Sequence, residues 1–263
     1  MNDTRRLDPL LDFTDKVVLI TGAAQGLGKL LAEELAPRGA KLVLGDIKVD
    51  AMNDVVNAIN SRNGEAISLA CDVSKKSDCD AMASAAIENF GRLDIAVNNA
   101  GIAGEMKHVT EFTEADMDLQ FSVNAKGVMF GMQSQIPQMR SGGGGTILNV
   151  SSMAGLGAAP KAATYAAAKH AIVGLTKTAA FEYARDNVRV NAICPYFTMT
   201  EMLTEIGSSG GIDDVDAFLG RGTPMRRVGR PEEIVNVMLM MISPGNTFMN
   251  GQAIAVDGGS SAI

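Results

Sequence analysis

The chain has 263 residues, an apolar fraction of 46% and a net charge of −7. That length fits one large α/β domain or two small ones, and the apolar share is ample for a core. The acidic balance, with no basic run, argues against nucleic acid and anionic membrane surfaces as partners. Cys71, Cys79 and Cys194 are an odd count without a metal spacing, so they read as reduced thiols of a cytoplasmic protein, and no metal is called for. Met1 to Asp15 is a polar, charged extension that lacks the apolar run of a signal peptide, and no stretch is long enough to span a bilayer.

Lys16 to Ile20 is a β-branched run of the kind buried on both faces of a sheet. Thr21-Gly22-Ala23-Ala24-Gln25-Gly26-Leu27-Gly28 follows, then a helical pattern through Leu30, Leu31 and Leu35. A glycine-rich turn between strand and helix lets backbone N–H groups approach a pyrophosphate at the helix N-terminus. The second strand, Lys41 to Gly45, is closed by Asp46. A carboxylate about 20 residues past such a turn holds the adenosine ribose hydroxyls and repels a 2′-phosphate. Gln25 and Ile47 are uncharged, and Lys48 reads as solvated, so the expected cofactor is NAD rather than NADP.

Helix 50–62 leads to a third strand at 66–70, and Asp72-Val73 follows it. Asp72 is placed to cap the next helix, to hold an adenine amino group, or both. Helix 75–90 ends at Gly91, a C-cap signal. Strand 93–97 runs into Asn98-Asn99-Ala100-Gly101, where small residues let the backbone pass a ribose or simply form a turn. Asn124 lies in a helical stretch from Glu111 that continues to Met139, and by itself reads as a hydrogen-bonded structural group. Strand 146–150 ends in Ser151-Ser152.

A long helix from about Thr164 to Arg185 carries Tyr165 and Lys169, which its i, i+4 spacing puts on one face. A phenol titrates near pH ~10, and an adjacent ammonium favours its phenolate. His170, next to the lysine, is about 100° around the helix and reads as a packing or surface residue. Strand 188–193 leads into Cys194-Pro195-Tyr196 and a poorly periodic segment, about 196–225, with a glycine-serine hinge at 207–211. Met199, Met202, Leu203, Ile206, Phe218 and Leu219 flank the hinge, which suggests an apolar flap. Helix 231–241 and strand 252–256 complete the chain. Alternating strands and helices predict a single-domain, Rossmann-type, doubly wound parallel sheet whose strand ends gather the glycine turn, Asp46, Asp72, Asn99 and Ser152.

From Lys16 to Gly259 the sequence resembles the short-chain dehydrogenase/reductases. The resemblance rests on Thr21-Gly22…Gly26-Leu27-Gly28, Asp72-Val73, Asn98-Asn99-Ala100-Gly101, Ser151-Ser152, Tyr165…Lys169 and Val256-Asp257-Gly258-Gly259. It implies Tyr165 as acid/base, Lys169 as its tuner and ribose ligand, and Ser152 as the group holding the substrate oxygen. It also implies that Asn124 anchors a water in a proton relay. Gly22, Gln25, Gly26, Leu27, Gly28, Asp46, Ile47, Asp72, Val73, Asn99, Ala100, Gly101, Pro195, Thr198 and Thr200 would line NAD. Tyr196 and Met202 would join Ser152 and Tyr165 around the substrate.

The family commonly has Pro-Gly where this chain has Pro195-Tyr196. A tyrosine bears a cost at positive φ that glycine does not, and its ring alters the pocket. The activity implied is hydride transfer between NAD(H) and an uncharged, hydrophobic or cyclic secondary alcohol or ketone, in a cytoplasmic homotetramer built on the long helices. Rival expectations are a sugar or polyol dehydrogenase, an NADPH-dependent 3-oxoacyl-carrier reductase, and a dinucleotide-sensing protein without catalysis.

Overall fold

A computed structural model of the chain describes residues 8–201, 203 and 214–262. Met202, Ile206 and the 207–211 hinge lie outside the described residues. Seven strands form one parallel sheet in the order β3-β2-β1-β4-β5-β6-β7. They are β1 (Val17–Thr21), β2 (Lys41–Asp46), β3 (Glu65–Ala70), β4 (Ile95–Asn98), β5 (Gly145–Val150), β6 (Val188–Pro195) and β7 (Ala253–Val256). Strand order reverses between β1 and β4, and in such sheets a ligand crevice opens at the carboxyl ends at that point.

Helices α1 (Gly26–Leu35), α2 (Val49–Asn60) and α3 (Lys76–Phe90) follow the first three strands. Helices α4 (Glu114–Gln120) and α5 (Gly127–Ser141) lie between β4 and β5. Helix α6 (Ala163–Glu182) connects β5 to β6, and α7 (Val215–Gly220) and α8 (Pro231–Ile242) precede β7. Period-two alternation divides the strands' apolar residues between two cores. Val18, Ile20, Leu42 and Leu44 pack with Leu31 and Leu35 of α1 and Met238 of α8. Val17, Leu19, Val43 and Ile147 pack with Met82 of α3, Met132 of α5 and Ile172 of α6. Each such side chain contributes about 1.5–3 kcal/mol on burial.

Two elements depart from the sequence reading. The N-terminal stretch is not wholly an extension, because Phe13 is fully buried in the first core. One aromatic residue among charges leaves no periodic trace. The helix expected from Glu111 starts instead at Glu114, where the Thr113 hydroxyl accepts from Asp116 N and the Asp116 carboxylate returns a bond to Thr113 N. Its ring then widens to a π-helix over Phe121–Lys126 before α5 begins. Single π-turns are rare and gather at functional sites.

Beneath the crevice lies a wholly buried polar network. Asn98 of β4 donates to Asn149 of β5 at 2.9 Å and exchanges bonds of 2.8 and 3.2 Å with Gln135 of α5. Asn149 in turn donates to the Thr176 hydroxyl of α6 at 2.9 Å. A buried donor stripped of its acceptor costs about 1–3 kcal/mol. Thr176→Val keeps the shape and deletes that acceptor. It should lower the melting temperature by several degrees in differential scanning calorimetry, at about 2–4 °C per kcal/mol for a chain of this size. An unchanged melting temperature would show that the network contributes nothing.

Candidate active site

The glycine loop has a geometry only glycine allows. Gly22 sits at φ +68° and Gly26 at φ +57°, in the left-handed region that penalises side chains. A Cβ on Gly28 would lie 2.2 Å from Gly22 O, and one on Gly22 would lie 2.8 Å from Ala100 Cα. Gln25 enters α1 with extended angles, and no side chain caps the helix. Uncapped N–H groups at a helix start, reached by a bare backbone, fit a pyrophosphate. Thr21 fastens the loop to β4, its hydroxyl accepting from Asn99 N and Ala100 N at 3.1 and 3.2 Å. The Asn99 amide donates back to Thr21 O and Gly22 O, both at 2.9 Å.

Asp46 lies under this loop. Its Oδ2 accepts from Ala24 N and its Oδ1 from Lys48 N, both at 2.9 Å. Ile47 points outward, 70% exposed. Lys48 is exposed, yet it is not simply solvated as the sequence suggested: its ammonium donates to Gln25 Oε1 at 2.6 Å. Asp72 does not cap α3, whose N-cap is Lys75 with no side-chain bond; it closes the turn before the helix instead, accepting from Ser74 N and the Ser74 hydroxyl through Oδ1. Those bonds, with Lys75 beside Oδ2, hold its carboxyl below the usual range. Val73 is buried at the foot of α5 against Gly127.

The second half of the site comes from β5 and α6. Ser152 follows β5 and caps a short 3-10 turn, Met153–Gly155, by accepting from Ala154 N at 3.1 Å. The same hydroxyl acts on the Tyr165 phenol in the direction that favours its charged form. Lys169 is buried and donates to Val150 O at 2.9 Å, and its ammonium lies 5.5 Å from the Tyr165 ring centre. The Ser151 hydroxyl donates to Lys169 O at 2.9 Å, pinning that turn of α6 to the end of β5. A Cβ on Gly101 would fall 2.7 Å from Asn124 Oδ1 and 3.5 Å from Lys169 Nζ. Contact therefore runs from Gly22 through Ala100 and Gly101 to Lys169, joining the glycine loop to the Ser152–Tyr165–Lys169 cluster.

Titration differs from the expectation that an ammonium alone pulls the phenol down. Burial dominates at Tyr165 and pushes its pKa up, while the Ser152 hydrogen bond acts the other way. Burial also lowers Lys169 to about 8, opposed by the nearby Cys194 thiol. Desolvation outweighs attraction here because the amine's hydrogen-bond partner is a peptide carbonyl, not a carboxylate.

Both polar atoms of the Asn124 side chain are bonded. Its Oδ1 accepts from Ile102 N, and its amide donates to Ile102 O and to Gln120 Oε1. It sits where the π-helix opens. Thr198 is buried, its hydroxyl donating to Tyr196 O, and Thr200 approaches Thr198 O at 3.4 Å. Pro195 closes β6. Tyr196 is not among the residues with positive φ, so it follows an ordinary backbone path. Its ring stacks edge-on with Phe197 at 4.8 Å, and its hydroxyl lies 2.8 Å from where a Cβ on Gly222 would stand. His170 is exposed and bonds Ala166 O. The sequence reading noted Ser151 and Asn98 only as motif residues; their hydrogen-bonding roles, the Val150 carbonyl and the links to Asn149 and Thr176 were missed, because these come from contacts between distant segments.

Residues 22–261 match the family model described as enoyl-(acyl carrier protein) reductase. The chain is 35% identical to levodione reductase of Leifsonia aquatica, covering 98% of this chain and 99% of that one. A crystal structure of levodione reductase superposes with a TM-score of 0.89 over 95% of this chain and 99% of that one. Cyclohexanol dehydrogenase of an Acinetobacter species (strain SE19) is 35% identical over 94% of this chain and 95% of its own. A 7α-hydroxysteroid dehydrogenase complexed with NADH and 7-oxo glycochenodeoxycholic acid is 34% identical, with a TM-score of 0.88 over 95% of this chain and 96% of that one. The chain belongs to the short-chain dehydrogenase/reductase family of oxidoreductases. Among the described residues no helix is long and apolar enough to cross a membrane.

The Lys169 pKa makes a stability prediction. Between about 8 and the ordinary 10.5 the unfolded chain binds more protons than the folded one, so stability gains with rising pH across that window. Lys169→Met lacks this gain. The melting temperature of the wild type minus that of the variant should therefore increase from pH 8 to pH 10.5. A constant difference would reject the lowered pKa.

Proposed function

We propose that this chain is an NAD-dependent dehydrogenase or ketoreductase of an uncharged, hydrophobic or cyclic secondary alcohol or ketone. The observation that carries this reading is the contact path from the glycine loop through Gly101 to Lys169, which sets Ser152 and Tyr165 beside the dinucleotide crevice. Gly22, Gly26, Leu27 and Gly28 would hold the pyrophosphate, and Asp46 the adenosine ribose. Asp72 and Val73 would flank the adenine, with Asn99 and Ala100 along the ribose path. Pro195, Thr198 and Thr200 would face the carboxamide. A bound nicotinamide supplies the hydride acceptor or donor.

The protein's own groups handle the oxygen and its proton. Ser152 fixes the substrate oxygen within hydrogen-bond reach of Tyr165. In reduction Tyr165 gives its proton to the nascent alkoxide, and burial, which keeps the phenol protonated, suits that direction. In oxidation Tyr165 as phenolate takes the hydroxyl proton. Lys169 would donate to the nicotinamide ribose and return the proton towards Tyr165. Asn124 would anchor a water leading to Lys169 in the proton relay, its own side chain held in place by Ile102 and Gln120.

The substrate class follows from the surroundings. Met199, Phe218 and Met225 expose apolar surface within the proposed flap segment, on either side of its glycine-serine stretch in sequence. Arg227 is committed to Glu233 through two 2.7 Å bonds, so it offers little to an acidic substrate. A carrier-bound acyl substrate is the second reading, favoured by the description of the matching family model. A homotetramer is also proposed: α6 leaves open space over Gly174, and Phe181 and Phe248 are 90% and 99% exposed.

Tyr165→Phe should reduce turnover by about 10²–10⁴-fold while NADH binding stays nearly intact. Near-normal turnover in that variant would reject the assignment. Asp46→Ser should narrow the preference for NAD⁺ over NADP⁺ by about tenfold, or ~1.4 kcal/mol. That ratio is read from steady-state kcat/KM with each cofactor, and an unchanged ratio would remove Asp46 from cofactor selection.

A further inference from the structure

Gln120 is the last residue of α4, 2% exposed, one turn before Asn124. The way its amide faces follows from a peptide group. Ile102 N can only donate, so the Asn124 atom 2.9 Å from it is the oxygen, Oδ1. The other atom is the nitrogen, which donates to Ile102 O at 2.9 Å and to Gln120 Oε1 at 2.6 Å. Gln120 must present its oxygen there, and that turns its Nε2 towards Gly104. A Cβ on Gly104 would lie 2.3 Å from this nitrogen, and Gly104 stands at φ +79°. The missing side chain makes room for the amide, and glycine carries the left-handed backbone without penalty.

Filling this place asks only for volume, which a hydrocarbon chain supplies without desolvating an amide. Among the described residues the Gln120 side chain makes one hydrogen bond, the one it accepts from Asn124. Its polar group therefore serves Asn124. Asn124 Oδ1 lies 2.7 Å from where a Cβ on Gly101 would stand, and Lys169 Nζ lies 3.5 Å from the same point. A rotation of the Asn124 amide is thus felt within one residue of the buried amine.

We propose that Gln120 is a positioning residue for proton transfer, fixing which way the Asn124 amide faces and so holding the path from Asn124 to Lys169. Its effect on turnover rests on the reading of Asn124 as anchor of the water leading to Lys169; its grip on Asn124 does not. Without the Gln120 oxygen, one Asn124 N–H loses its acceptor and the side chain keeps only its Ile102 bonds. Gln120 acts through Asn124, so removing it should slow proton delivery and leave cofactor and substrate binding intact.

The test uses the full-length protein with NAD⁺ and the cyclic secondary alcohol, from a panel that includes cyclohexanol, that the wild type oxidises fastest. It reads kcat, KM, the solvent deuterium isotope effect on kcat, and NADH affinity by titration. Gln120→Met keeps the volume and removes the acceptor. It should lower kcat about tenfold and enlarge the isotope effect, with KM and NADH affinity within about twofold of wild type. Gln120→Glu keeps an oxygen for Asn124 and should hold kcat within about threefold of wild type. Adding Gln120→Met to Asn124→Ala should cost nothing beyond Asn124→Ala alone, since one acts through the other. Should Gln120→Met fail to fold, Gly104→Ala drives a Cβ into the same amide and should reproduce its kinetics. A normal kcat and isotope effect in Gln120→Met, beside a slow Asn124→Ala, overturns the role of Gln120 alone. So does a loss in the double variant equal to the two single losses combined, or a fall of NADH affinity in step with kcat. A normal kcat in Asn124→Ala overturns the relay reading and this role with it, and a wild type that oxidises no alcohol of the panel overturns the proposed function instead.

Discussion

The site depends on a buried amine held by a peptide carbonyl. Lys169 enters the interior from α6 and donates to Val150 O at the last residue of β5. Burial of an ammonium opposes its charge, and here it brings the pKa to about 8. Such a group requires its surroundings to be rigid, because a small displacement of α6 along β5 would break its hydrogen bond. The chain supplies that rigidity twice. Ser151 bonds the carbonyl of Lys169 itself, and Thr176, two turns on, bonds Asn149 beside Val150.

The same strand ends connect the amine to the glycine loop. Asn98 belongs to the buried amide network, while its neighbour Asn99 holds Thr21 and Gly22. One dipeptide thus fixes the interior beneath the crevice and the loop above it. Gly101 then passes between Asn124 and Lys169, where a side chain would collide with the Asn124 oxygen. The helix containing Asn124 widens to a π-turn at that point. Both amide groups of Asn124 are bound, so the wider turn is stabilised by tertiary bonds that a regular helix would not offer it.

The adenosine side is built on a different balance. Asp46 is ordered by two backbone N–H groups, which keeps its charge under the glycine loop. Lys48 is drawn across to Gln25. At the other end of the crevice Tyr196 replaces the family's glycine without positive φ, and the bare backbone of Gly222 receives its hydroxyl. The bulk gained at one position is offset by the absence of a side chain at another.

The sequence by itself determined what is written in local spacing. The seven strands were legible as short apolar runs between turn signals, most clearly β1, whose five residues are all buried. The glycine loop was legible because positive φ and backbone approach exclude side chains, and Tyr165 with Lys169 because one helical turn places them together. Tertiary structure alone decided the rest. The burial of Phe13, the π-turn at Asn124, the Asn149–Thr176 bond, the tie between Lys48 and Gln25 and the seat of Tyr196 each join segments distant in the chain. No periodicity encodes such pairings. They exist only once the two cores have packed and fixed which helix face meets which strand end.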